Sequence, residues 1–329
     1  MIPTPKSMIA GTGMAAPSQV LSNHDLEKTV ETNDQWIRER TGIERRHILE
    51  KGRTNSDLAA EAGIQALGDA GIRAEELDCI LIATISGNSP FPATACHVQA
   101  KLGAVHAAAF DISAACSGFI YGLTLADSLI RSGTFQKILV IGSEVLSRIT
   151  DWSDRSTCVL FGDGAGAAVV VPSDGKKGIL TSYIRSDGSL AGLLHMPAGG
   201  TSLPASHDTV DQHLHFIKME GREVFKHAVR TMVDAARHSL KQAKLRPEDI
   251  DFLIPHQANV RIIDAIAERM HLSRENVCVN VNEYGNTSSA SIPIALDEAR
   301  KDGRIREGSR CLLVAFGGGF TWASCIIQF

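Results

Sequence analysis

Apolar runs the length of single strands alternate with longer stretches of helical periodicity along the whole chain. Continuous apolar runs are typical of buried strands, and their alternation with helices predicts a mixed α/β fold. Strands are predicted at 7–11, 79–84, 107–112, 137–142, 165–171, 213–219, 252–255, 277–281, 310–316 and 321–328. Helices are predicted at 22–31, 34–39, 55–68, 91–102, 117–131, 221–242, 260–270 and 288–301.

An internal repeat indicates that the chain consists of two similar halves. Residues 66–81 (ALGDAGIRAEELDCIL) align without a gap on residues 239–254 (SLKQAKLRPEDIDFLI). Each copy has the pattern of a helix end, an acidic loop and a buried strand. We therefore predict two halves, 1–174 and 175–329, that share one continuous core. Equivalent strand ends should then meet at a central cleft, where α/β folds commonly bind ligands.

The charge balance and the length of the apolar runs exclude some classes of function. With 33 Lys and Arg against 37 Asp and Glu, the net charge of −4 argues against a role dominated by nucleic acid or an anionic membrane. No apolar run is long enough to span a bilayer, and the first residues resemble a strand rather than a signal peptide. We therefore expect neither nucleic acid nor a membrane among the partners.

The cysteines and histidines indicate a reduced protein without a metal site. The seven cysteines are odd in number and form no C-x-x-C pair, so free thiols of a cytoplasmic protein are expected. The twelve histidines show neither H-x-x-x-H nor H-E-x-x-H spacing, so no metal is expected. The segment GTGMAA at 11–16 superficially matches a dinucleotide fingerprint, but Pro17 follows and no helix begins there. No cofactor is therefore expected.

Cys116 is the first candidate for a nucleophile. It lies in the segment DISAACSGF at 111–119, where a predicted strand gives way to a predicted helix and the neighbouring residues are small. The unpaired N–H groups and the dipole at the start of a helix place partial positive charge there, which predicts a lowered thiol pKa. The alternative is a small and inert core residue, as most free cysteines are. The position alone leaves both interpretations open.

Three further segments carry groups suited to chemistry, each with a structural alternative. His256 follows the predicted strand 252–255, and it could move protons or be a structural histidine. Asn286 precedes a predicted helix, and it could polarise a carbonyl or cap that helix. The segment FGGGF at 316–320 could bring a backbone N–H group close to a ligand or form a simple hairpin turn.

Cys116 and the segments PHQAN (255–259), GNTSS (285–289) and GGGFTW (317–322) together closely resemble the β-ketoacyl-acyl-carrier-protein synthase III family. The resemblance runs essentially end to end and keeps the motif order. These condensing enzymes start type II fatty-acid synthesis and belong to the thiolase-like superfamily. The resemblance implies a thiolase-like α/β fold, in which two duplicated halves pack as a layered αβαβα core. Related thiolases and elongating synthases combine the nucleophile with other residues, so the Cys, His, Asn set distinguishes the initiating class.

The resemblance also implies a reaction. Cys116 in the first half would take the acyl group of a short acyl-CoA, acetyl-CoA first among them. Condensation with malonyl-acyl-carrier protein would then give 3-oxoacyl-acyl-carrier protein, CoA and CO₂. The backbone N–H groups of Cys116 and Gly318 would form an oxyanion hole, and His256 and Asn286 in the second half would stabilise the enolate. Acyl-CoA and acyl carrier protein are then substrates, and a homodimer is the family expectation.

Two alternative functions remain beside this one. The nearest is a sister condensing enzyme of secondary metabolism with another acyl donor or acceptor. The other is a non-catalytic module that binds acyl groups or carrier protein, against which the intact set of Cys116, His256 and Asn286 argues. Ser117 and Ala323 stand where the family more usually has alanine and glycine. Both residues are small, so neither affects the catalytic assignment.

Family positions for substrate binding transfer residue by residue. Trp36 and Arg155 resemble the pair that holds the adenine of CoA between an indole ring and a guanidinium plane. Phe91 resembles the aromatic residue that closes the acyl pocket of the partner across a dimer interface. The implied contacts with CoA and substrate are Thr32, Trp36, Arg40, Arg155, Gly221, Phe225 and Asn259.

A locally basic docking surface is expected because the family's carrier protein is acidic. The residues implied for it are Lys226, Gln257, Ala258, Asn259, Val260, Arg261 and Arg269, with Arg222 as a further candidate. Asp264 and Glu268 lie on the same predicted helix as Arg261 and dilute its positive charge. An ordinary solvated helix face of mixed charge is therefore the alternative interpretation.

Overall fold

Two larger β-sheets and two small ones form the frame of the structure, a computed structural model that describes residues 2–329. The strands are β1 (Ser7–Ala15), β2 (Gln19–Ser22), β3 (Arg45–Ile48), β4 (Cys79–Ala83), β5 (Ala108–Ile112), β6 (Ile138–Val145), β7 (Asp163–Pro172), β8 (Gly178–Ser186), β9 (Leu194–His195), β10 (Lys218–Met219), β11 (Phe252–Pro255), β12 (Arg310–Gly317) and β13 (Thr321–Gln328). The helices are α1 (Asn23–Leu26), α2 (Asp34–Thr41), α3 (Asn55–Ala70), α4 (Thr94–Leu102), α5 (Gly118–Arg131), α6 (Arg155–Cys158), α7 (His207–Asp211), α8 (Gly221–Ala243), α9 (Val260–Arg269), α10 (Val281–Tyr284) and α11 (Ser291–Lys301).

The two larger sheets share one strand plan. The first has the spatial order β5-β4-β6-β7-β1, with β5, β4 and β6 parallel and β7 and β1 each antiparallel to the preceding strand. The second has the order β11-β12-β13-β8, with β11 and β12 parallel and the other two antiparallel in the same way. Strands β4, β6, β7 and β1 therefore correspond to β11, β12, β13 and β8, which is the structural counterpart of the internal repeat.

Helices fill the spaces outside and between the two sheets. α3 and α4 pack on the outer side of the first sheet, whereas α8, with α9 against it, packs on the second. α5 and α11 lie in the middle and contact strands of both sheets. Because helices cover both faces, β4 is buried along its whole length and has a continuous apolar sequence. The predicted layered αβαβα core is confirmed.

The middle layer lies directly against strand backbone because glycines leave room for it. A Cβ atom on Gly142 of β6 would stand 2.2 Å from the carbonyl oxygen of Ser289, just before α11. A Cβ atom on Gly118, the first residue of α5, would stand 2.7 Å from the Cβ atom of Ala83. Larger residues at either position would push the start of a middle-layer helix away from the first sheet.

Two predicted strands are wrong. Of the predicted strand 213–219, only Lys218–Met219 pairs, with Leu194–His195. The preceding residues form a loop after α7, and Ile217 of this loop is buried. Because the loop covers the interior, its sequence alternates between apolar and polar residues as a strand would. Of the predicted strand 277–281, only Val277 forms a bridge, with Leu253, before the chain turns into α10.

The hydrophobic pattern misses the strands β2, β3, β8 and β9. β2 and β3 pair with each other in a separate two-stranded sheet, and β9 has only two residues. β8 lies at the edge of the second sheet and becomes exposed toward its end. Short strands and edge strands bury few side chains, so the hydrophobic periodicity of their sequences is weak. All eight predicted helices occur, although the first shortens to α1 and the last begins at Ser291. In residues 2–329, no helix combines the length and apolar character needed to cross a membrane.

Candidate active site

Cys116 lies on a tight turn between β5 and α5, in the middle layer of the fold. Residues Ala115–Ser117 form a 3₁₀ turn, and α5 follows at Gly118. Ala115 has a φ of 45°, a left-handed conformation that non-glycine residues rarely adopt. Backbone strain of this kind persists only where the surroundings enforce it, and it often marks a functional position.

The pKa of the Cys116 thiol differs from the expectation based on the start of a helix. Burial raises this pKa to about 12, because a thiolate loses its solvation inside the protein. The Ser288 hydroxyl acts against this shift by hydrogen bonding, whereas the nearby Glu144 carboxylate adds to it. The predicted lowering of the thiol pKa is therefore wrong, since desolvation outweighs the dipole of α5. The resting thiol is protonated at neutral pH and must release its proton when it attacks.

The glycine-rich hairpin between β12 and β13 is hydrogen bonded to the turn that carries Cys116. Thr321 Oγ1 donates a hydrogen bond to the carbonyl oxygen of Ala114 (2.9 Å), and Ser117 Oγ donates to the carbonyl oxygen of Thr321 (3.1 Å). A Cβ atom on Gly317 would lie 2.6 Å from the Cys116 nitrogen, so only glycine permits this approach. Ser117, a departure from the family pattern, therefore helps to hold the hairpin beside the nucleophile.

His256 follows β11 and is held as a neutral donor. Its Nδ1 lies 2.7 Å from Ser291 Oγ, which also accepts a hydrogen bond from the Gln257 N–H (3.3 Å). The Ser291 hydroxyl proton is then directed to Nδ1, and this assignment places the histidine proton on Nε2. Burial lowers the pKa of His256 to about 3, because the charged ring would lose its solvation.

Asn286 is fixed through its backbone and its side-chain oxygen. Its backbone N–H donates to the carbonyl oxygen of Leu160 (2.8 Å), and its own carbonyl accepts from the Gly162 N–H (3.1 Å). Its Oδ1 accepts from the Ser288 N–H (2.9 Å), which leaves the NH₂ group as the free end of the side chain. Asn286 does not cap α11, which begins five residues later. The amide is thus oriented as a donor.

Two cavities meet at Cys116. One, of about 120 Å³, is lined by Cys116, His256 and Asn286 and continues along α8 and α9. The other, of about 410 Å³, is lined by Cys116 and Gly318 and by apolar side chains such as Ile149 and Ile217. The three residues selected from the sequence therefore converge on one cavity, and the hairpin glycine lies in the adjoining one.

The structure brings the residues expected to bind CoA into two groups. Arg40 and Arg155 both place Cζ 5.2 Å from the centre of the Trp36 ring, and the Thr32 hydroxyl nearby in sequence is buried without a hydrogen-bond partner in residues 2–329. Gly221, Phe225 and Asn259 line the smaller cavity. Asn259 links the two groups: it caps α9 by accepting from the Arg261 N–H (2.8 Å), and its Nδ2 donates to the Arg40 carbonyl (3.0 Å).

The basic side chains expected to dock carrier protein are exposed, and Arg261 among them lies beside a residue that lines the smaller cavity. Arg222, Lys226, Arg261 and Arg269 all lie on the surfaces of α8 and α9. Arg261 lies over the ring of Phe225, with Cζ 5.9 Å from its centre. Asp264, expected to dilute the patch, instead forms an ion pair with Arg274 at 3.1 Å. Ala258, Asn259 and Val260 are partly exposed at the start of α9.

Gln257 is wrong as a docking residue because only 1% of it is exposed. Its Nε2 donates to the carbonyl oxygen of Pro255 (2.8 Å), and its Oε1 accepts from the Asn280 N–H (3.0 Å). Both ends of the amide therefore bind backbone inside the protein. Gln257 instead braces the loop that carries His256. Phe91, expected to close a partner's pocket, is 84% exposed.

Three residues of the site were not selected from the sequence. Ser291 orients His256, as described above. Ser288 lies in the 3₁₀ turn before α11 and lines the larger cavity together with Cys116. Glu144 is completely buried in β6, and its Oε1 accepts from Ser288 Oγ at 3.0 Å. The one available signal was a glutamate within an apolar stretch, IGSEVL, because buried carboxylates are rare.

Comparison with known proteins agrees with this geometry. Family models match two segments: 3-oxoacyl-[acyl-carrier-protein] synthase III at residues 110–188 and its C-terminal region at residues 240–329. A β-ketoacyl-[acyl-carrier-protein] synthase III of Caldanaerobacter subterraneus subsp. tengcongensis is 54% identical over 320 residues, 97% of each chain. One of Symbiobacterium thermophilum is 51% identical over 320 residues, again 97% of each chain.

Solved structures give the same result. The 3-oxoacyl-[acyl-carrier-protein] synthase III of Aquifex aeolicus VF5 has a TM-score of 0.91 and 49% identity, covering 98% of this chain and 100% of that one. The fold and these matches define a thiolase-like condensing enzyme, an acyltransferase. Within that class, the chain belongs to the 3-oxoacyl-[acyl-carrier-protein] synthase III family, which initiates fatty-acid synthesis. The resemblance noted in the motifs is confirmed.

The neutral, buried state of His256 predicts that stability depends on pH. Its folded-state pKa of about 3 lies below the ordinary 6.5. Between these two pH values the unfolded chain binds a proton at His256, whereas the folded protein does not. The free energy of unfolding should therefore fall as the pH decreases below about 6.5, by up to about 1.4 kcal/mol per pH unit from this group. Urea unfolding at several pH values measures this slope.

The matched variant is His256→Gln, which keeps a polar side chain but has no group that titrates. Its unfolding free energy should fall less steeply over the same range, by the amount assigned to the histidine. Identical slopes in the two proteins would show that His256 takes up its proton in the folded state.

Proposed function

We propose that this enzyme moves a short acyl group from acyl-CoA onto Cys116 and then condenses it with malonyl-acyl-carrier protein. The observation that carries this proposal is the convergence of Cys116, His256 and Asn286 on a cavity that meets an apolar cavity at the sulfur. The first cavity suits the thioester arm of a carrier, and the second suits an acyl chain. A sulfur at their junction can hold the acyl group while one carrier leaves and another enters, as a ping-pong reaction requires.

In the first stage, the Cys116 sulfur attacks the carbonyl carbon of the acyl-CoA thioester. A tetrahedral intermediate forms, and its oxyanion is stabilised by the backbone N–H groups of Cys116 and Gly318. This role is supported by the hairpin hydrogen bonds, which hold both backbone segments around the same cavity. Donors that are already in place need no reorganisation when the charge develops. Collapse of the intermediate releases CoA and leaves acyl-Cys116.

In the second stage, malonyl-carrier protein binds and loses CO₂. Negative charge then develops on its thioester oxygen, where His256 Nε2–H and the Asn286 NH₂ group donate hydrogen bonds. The contacts of His256 Nδ1 and Asn286 Oδ1 support this role, because each occupies the acceptor end and leaves the donor end for substrate. The resulting carbanion attacks the acyl-cysteine. The products are 3-oxoacyl-carrier protein and the Cys116 thiolate, which takes up a proton from water to restore the thiol.

The entrance for CoA is proposed at the group around Trp36. Arg40 and Arg155 already lie against this ring. A nucleotide base that stacks on Trp36 would therefore take the place of one guanidinium group or lie next to it. The Thr32 hydroxyl is buried and has no partner in residues 2–329, so a bound nucleotide would have to expose it before the two could form a hydrogen bond. From there, Asn259, Phe225 and Gly221 would line the path of the pantetheine arm toward Cys116.

Loss of either enolate donor should stop condensation while acylation continues. His256→Ala and Asn286→Ala each remove one hydrogen bond to the enolate, so malonyl-dependent CO₂ release should fall roughly 10²–10³-fold. Cys116 should still take up radiolabel from acyl-CoA in both variants, since neither side chain is the nucleophile. Measuring CO₂ release and retained label on one preparation separates the two stages.

Cys116→Ser is the control for the labelling step and should retain no thioester-linked label. Label retained in that variant would disprove the nucleophile. Equal losses of label and of CO₂ release in His256→Ala or Asn286→Ala would disprove the division of roles.

We propose that acidic carrier protein docks on the exposed basic side chains of α8 and α9. Arg261 is the central candidate, because it lies at the first turn of α9, beside Phe225 at the cavity mouth. Lys226 and Arg269 would extend the positive surface. Charges at the rim of an interface act mainly on the encounter of the two partners, and salt weakens their effect.

Arg261→Glu should raise the KM for malonyl-carrier protein several-fold and leave the KM for acyl-CoA nearly unchanged. The difference should shrink at high ionic strength, because salt screens exposed charges. Arg237→Glu is the matched control: Arg237 is also exposed on α8, but it lies near the opposite end of the helix. Equal changes for both substrates, or the same change in the control, would contradict the docking site.

We also propose a homodimer that pairs through β5. β5 is an edge strand of the first sheet, and an uncovered edge can pair with another strand. Around it, Ile85, Val105 and Phe110 are 39%, 69% and 38% exposed. Phe91 precedes α4, which packs against β5. In such a pair each Phe91 would reach toward the acyl cavity of the other copy.

Phe110→Asp should convert the dimer into a monomer, because it places a charge on the proposed apolar interface. Light scattering of the purified protein measures the mass. Ile64→Asp is the control, since Ile64 is 59% exposed on α3, which packs mainly on β1 and β7 at the other edge of the first sheet. A dimer that survives Phe110→Asp, or a monomer in the unsubstituted protein, would contradict this interface.

A cytoplasmic location and independence from any cofactor complete the proposal. All seven cysteines are free thiols in residues 2–329, which suits a reducing compartment. The chemistry needs no resident cofactor, because decarboxylation itself supplies the attacking carbanion.

A second candidate function has one observation in its favour. The priming β-ketosynthase from the R1128 polyketide biosynthetic pathway has a TM-score of 0.90 and 34% identity, covering 100% of this chain and 98% of that one. A priming enzyme on this scaffold could accept a different acyl donor. The condensation assay with a series of acyl-CoA primers distinguishes the two candidates, since an enzyme of fatty-acid synthesis should prefer short saturated primers.

A further inference from the structure

Glu144 is a fully buried carboxylate without a cationic hydrogen-bond partner in residues 2–329. Its Oε2 accepts from Thr84 Oγ1 (3.1 Å), from the Ile85 N–H (3.1 Å) and from the Ser86 hydroxyl. Its Oε1 accepts from Ser288 Oγ (3.0 Å). Burying a carboxylate without a countercharge is unfavourable, so hydrogen bonds alone hold this one. Such a carboxylate has either a structural or a chemical role, and the groups beside it decide between the two.

Ser288 connects this carboxylate to the nucleophile. Its hydroxyl donates to Glu144, and Ser288 and Cys116 together line the larger cavity. The Ser288 hydroxyl also acts on the pKa of the Cys116 thiol, as a neighbour of the sulfur does. Ser288 has a φ of 49° and starts the 3₁₀ turn before α11, just as Ala115 has a φ of 45° and starts the turn before α5. The two turns correspond in the duplicated fold, and the middle layer brings them face to face.

Within the function proposed above, on which this inference rests, we propose that Glu144 accepts the proton of the Cys116 thiol through Ser288 during acyl transfer. The thiol proton passes to the Ser288 oxygen as the Ser288 proton passes to Glu144 Oε1. The sulfur electron pair forms the new S–C bond, and the C–S bond to CoA breaks. The departing CoA sulfur then receives the proton from Glu144 by the reverse transfer, so the carboxylate is regenerated.

His256 is not suited to this proton transfer. In the tautomer whose Nδ1 accepts from Ser291, Nε2 carries a proton and cannot take another without forming a buried cation. The lowered pKa of His256 agrees with this assignment. Burial raises the pKa of the Glu144 carboxyl, which makes the ionised group a better proton acceptor than an exposed glutamate. Glu144 and His256 are the titratable side chains beside the thiol, and His195 also lines the larger cavity.

A purely electrostatic role for Glu144 predicts the opposite effect of its removal. The negative charge beside the thiol raises the thiol pKa, so a bystander carboxylate would hinder thiolate formation. Neutralising a bystander should therefore speed acylation. Neutralising a proton acceptor should slow it, because the thiol would then depend on spontaneous ionisation far below its pKa of about 12.

The relay is tested by measuring the rate of a single turnover, the transfer of the acyl group from acyl-CoA to Cys116. The reaction is run at several pH values between about 6 and 9 and quenched rapidly, and the intact mass of the protein reports how much is acylated. The rate of the unsubstituted enzyme should level off once Glu144 is ionised. In Glu144→Gln and in Ser288→Ala it should be lower at neutral pH by roughly 10²-fold or more and should rise about tenfold per pH unit without a plateau. Combining the two substitutions should add little, because either one breaks the same path. Glu144→Asp should restore the plateau.

Asp163→Asn is the matched control. Asp163 is another fully buried carboxylate, and it accepts hydrogen bonds from Ser147 and from the Leu49 N–H. Its substitution should lower stability and leave the shape of the pH profile unchanged. Faster acylation in Glu144→Gln, or a plateau retained in Ser288→Ala, would overturn the relay while the proposed function stands. An unsubstituted enzyme that takes no acyl group onto Cys116 would overturn the proposed function, and the relay with it.

Discussion

The close contact between the first sheet and the two middle helices is the constraint on which the site depends. Gly142 and Gly118 have no side chains, so Ser289 lies directly against the backbone of β6 and the start of α5 lies against Ala83 of β4. The turns that precede α5 and α11 therefore lie close to each other between the two sheets. One turn carries Cys116 and the other carries Ser288, with Asn286 two residues before it. A thicker middle layer would separate these groups.

Burial by this layer sets the electrostatics of the site. The same loss of solvation raises the pKa values of Cys116 and Glu144 and lowers the pKa of His256. The thiol and the imidazole are therefore neutral at rest, although both stand where charge is expected to develop during a reaction. A dry cavity strengthens each hydrogen bond to that charge. The enclosure that makes the resting thiol unreactive thus also favours the transition state, provided that the thiol proton has somewhere to go.

The two halves share one α/β plan, but equivalent positions in them have different roles. The turn before α5 presents a thiol, whereas the corresponding turn before α11 presents hydroxyl groups. Where the first half has the strand β5, the second has a single bridge at Val277 and then the short helix α10. The segment that follows in the second half carries Asn286 into the cavity.

The motifs around Cys116, His256 and Asn286, the strand-length apolar runs and the internal repeat were enough to predict the layered fold, the family and the three residues that meet in the cavity. Local patterns suffice for these features because burial on both faces leaves a continuous apolar run, and because family motifs are contiguous in the chain. The tertiary structure alone decided the sign of the Cys116 pKa shift, since desolvation depends on atoms from distant segments. It also decided that Gln257 is internal, that residues 213–219 are mostly a loop, and that the hydrogen-bonded pair of Glu144 and Ser288 lies at the cavity of the nucleophile. Residues 144 and 288 stand far apart in the chain, and only the packing of α11 against β6 brings them within hydrogen-bonding distance.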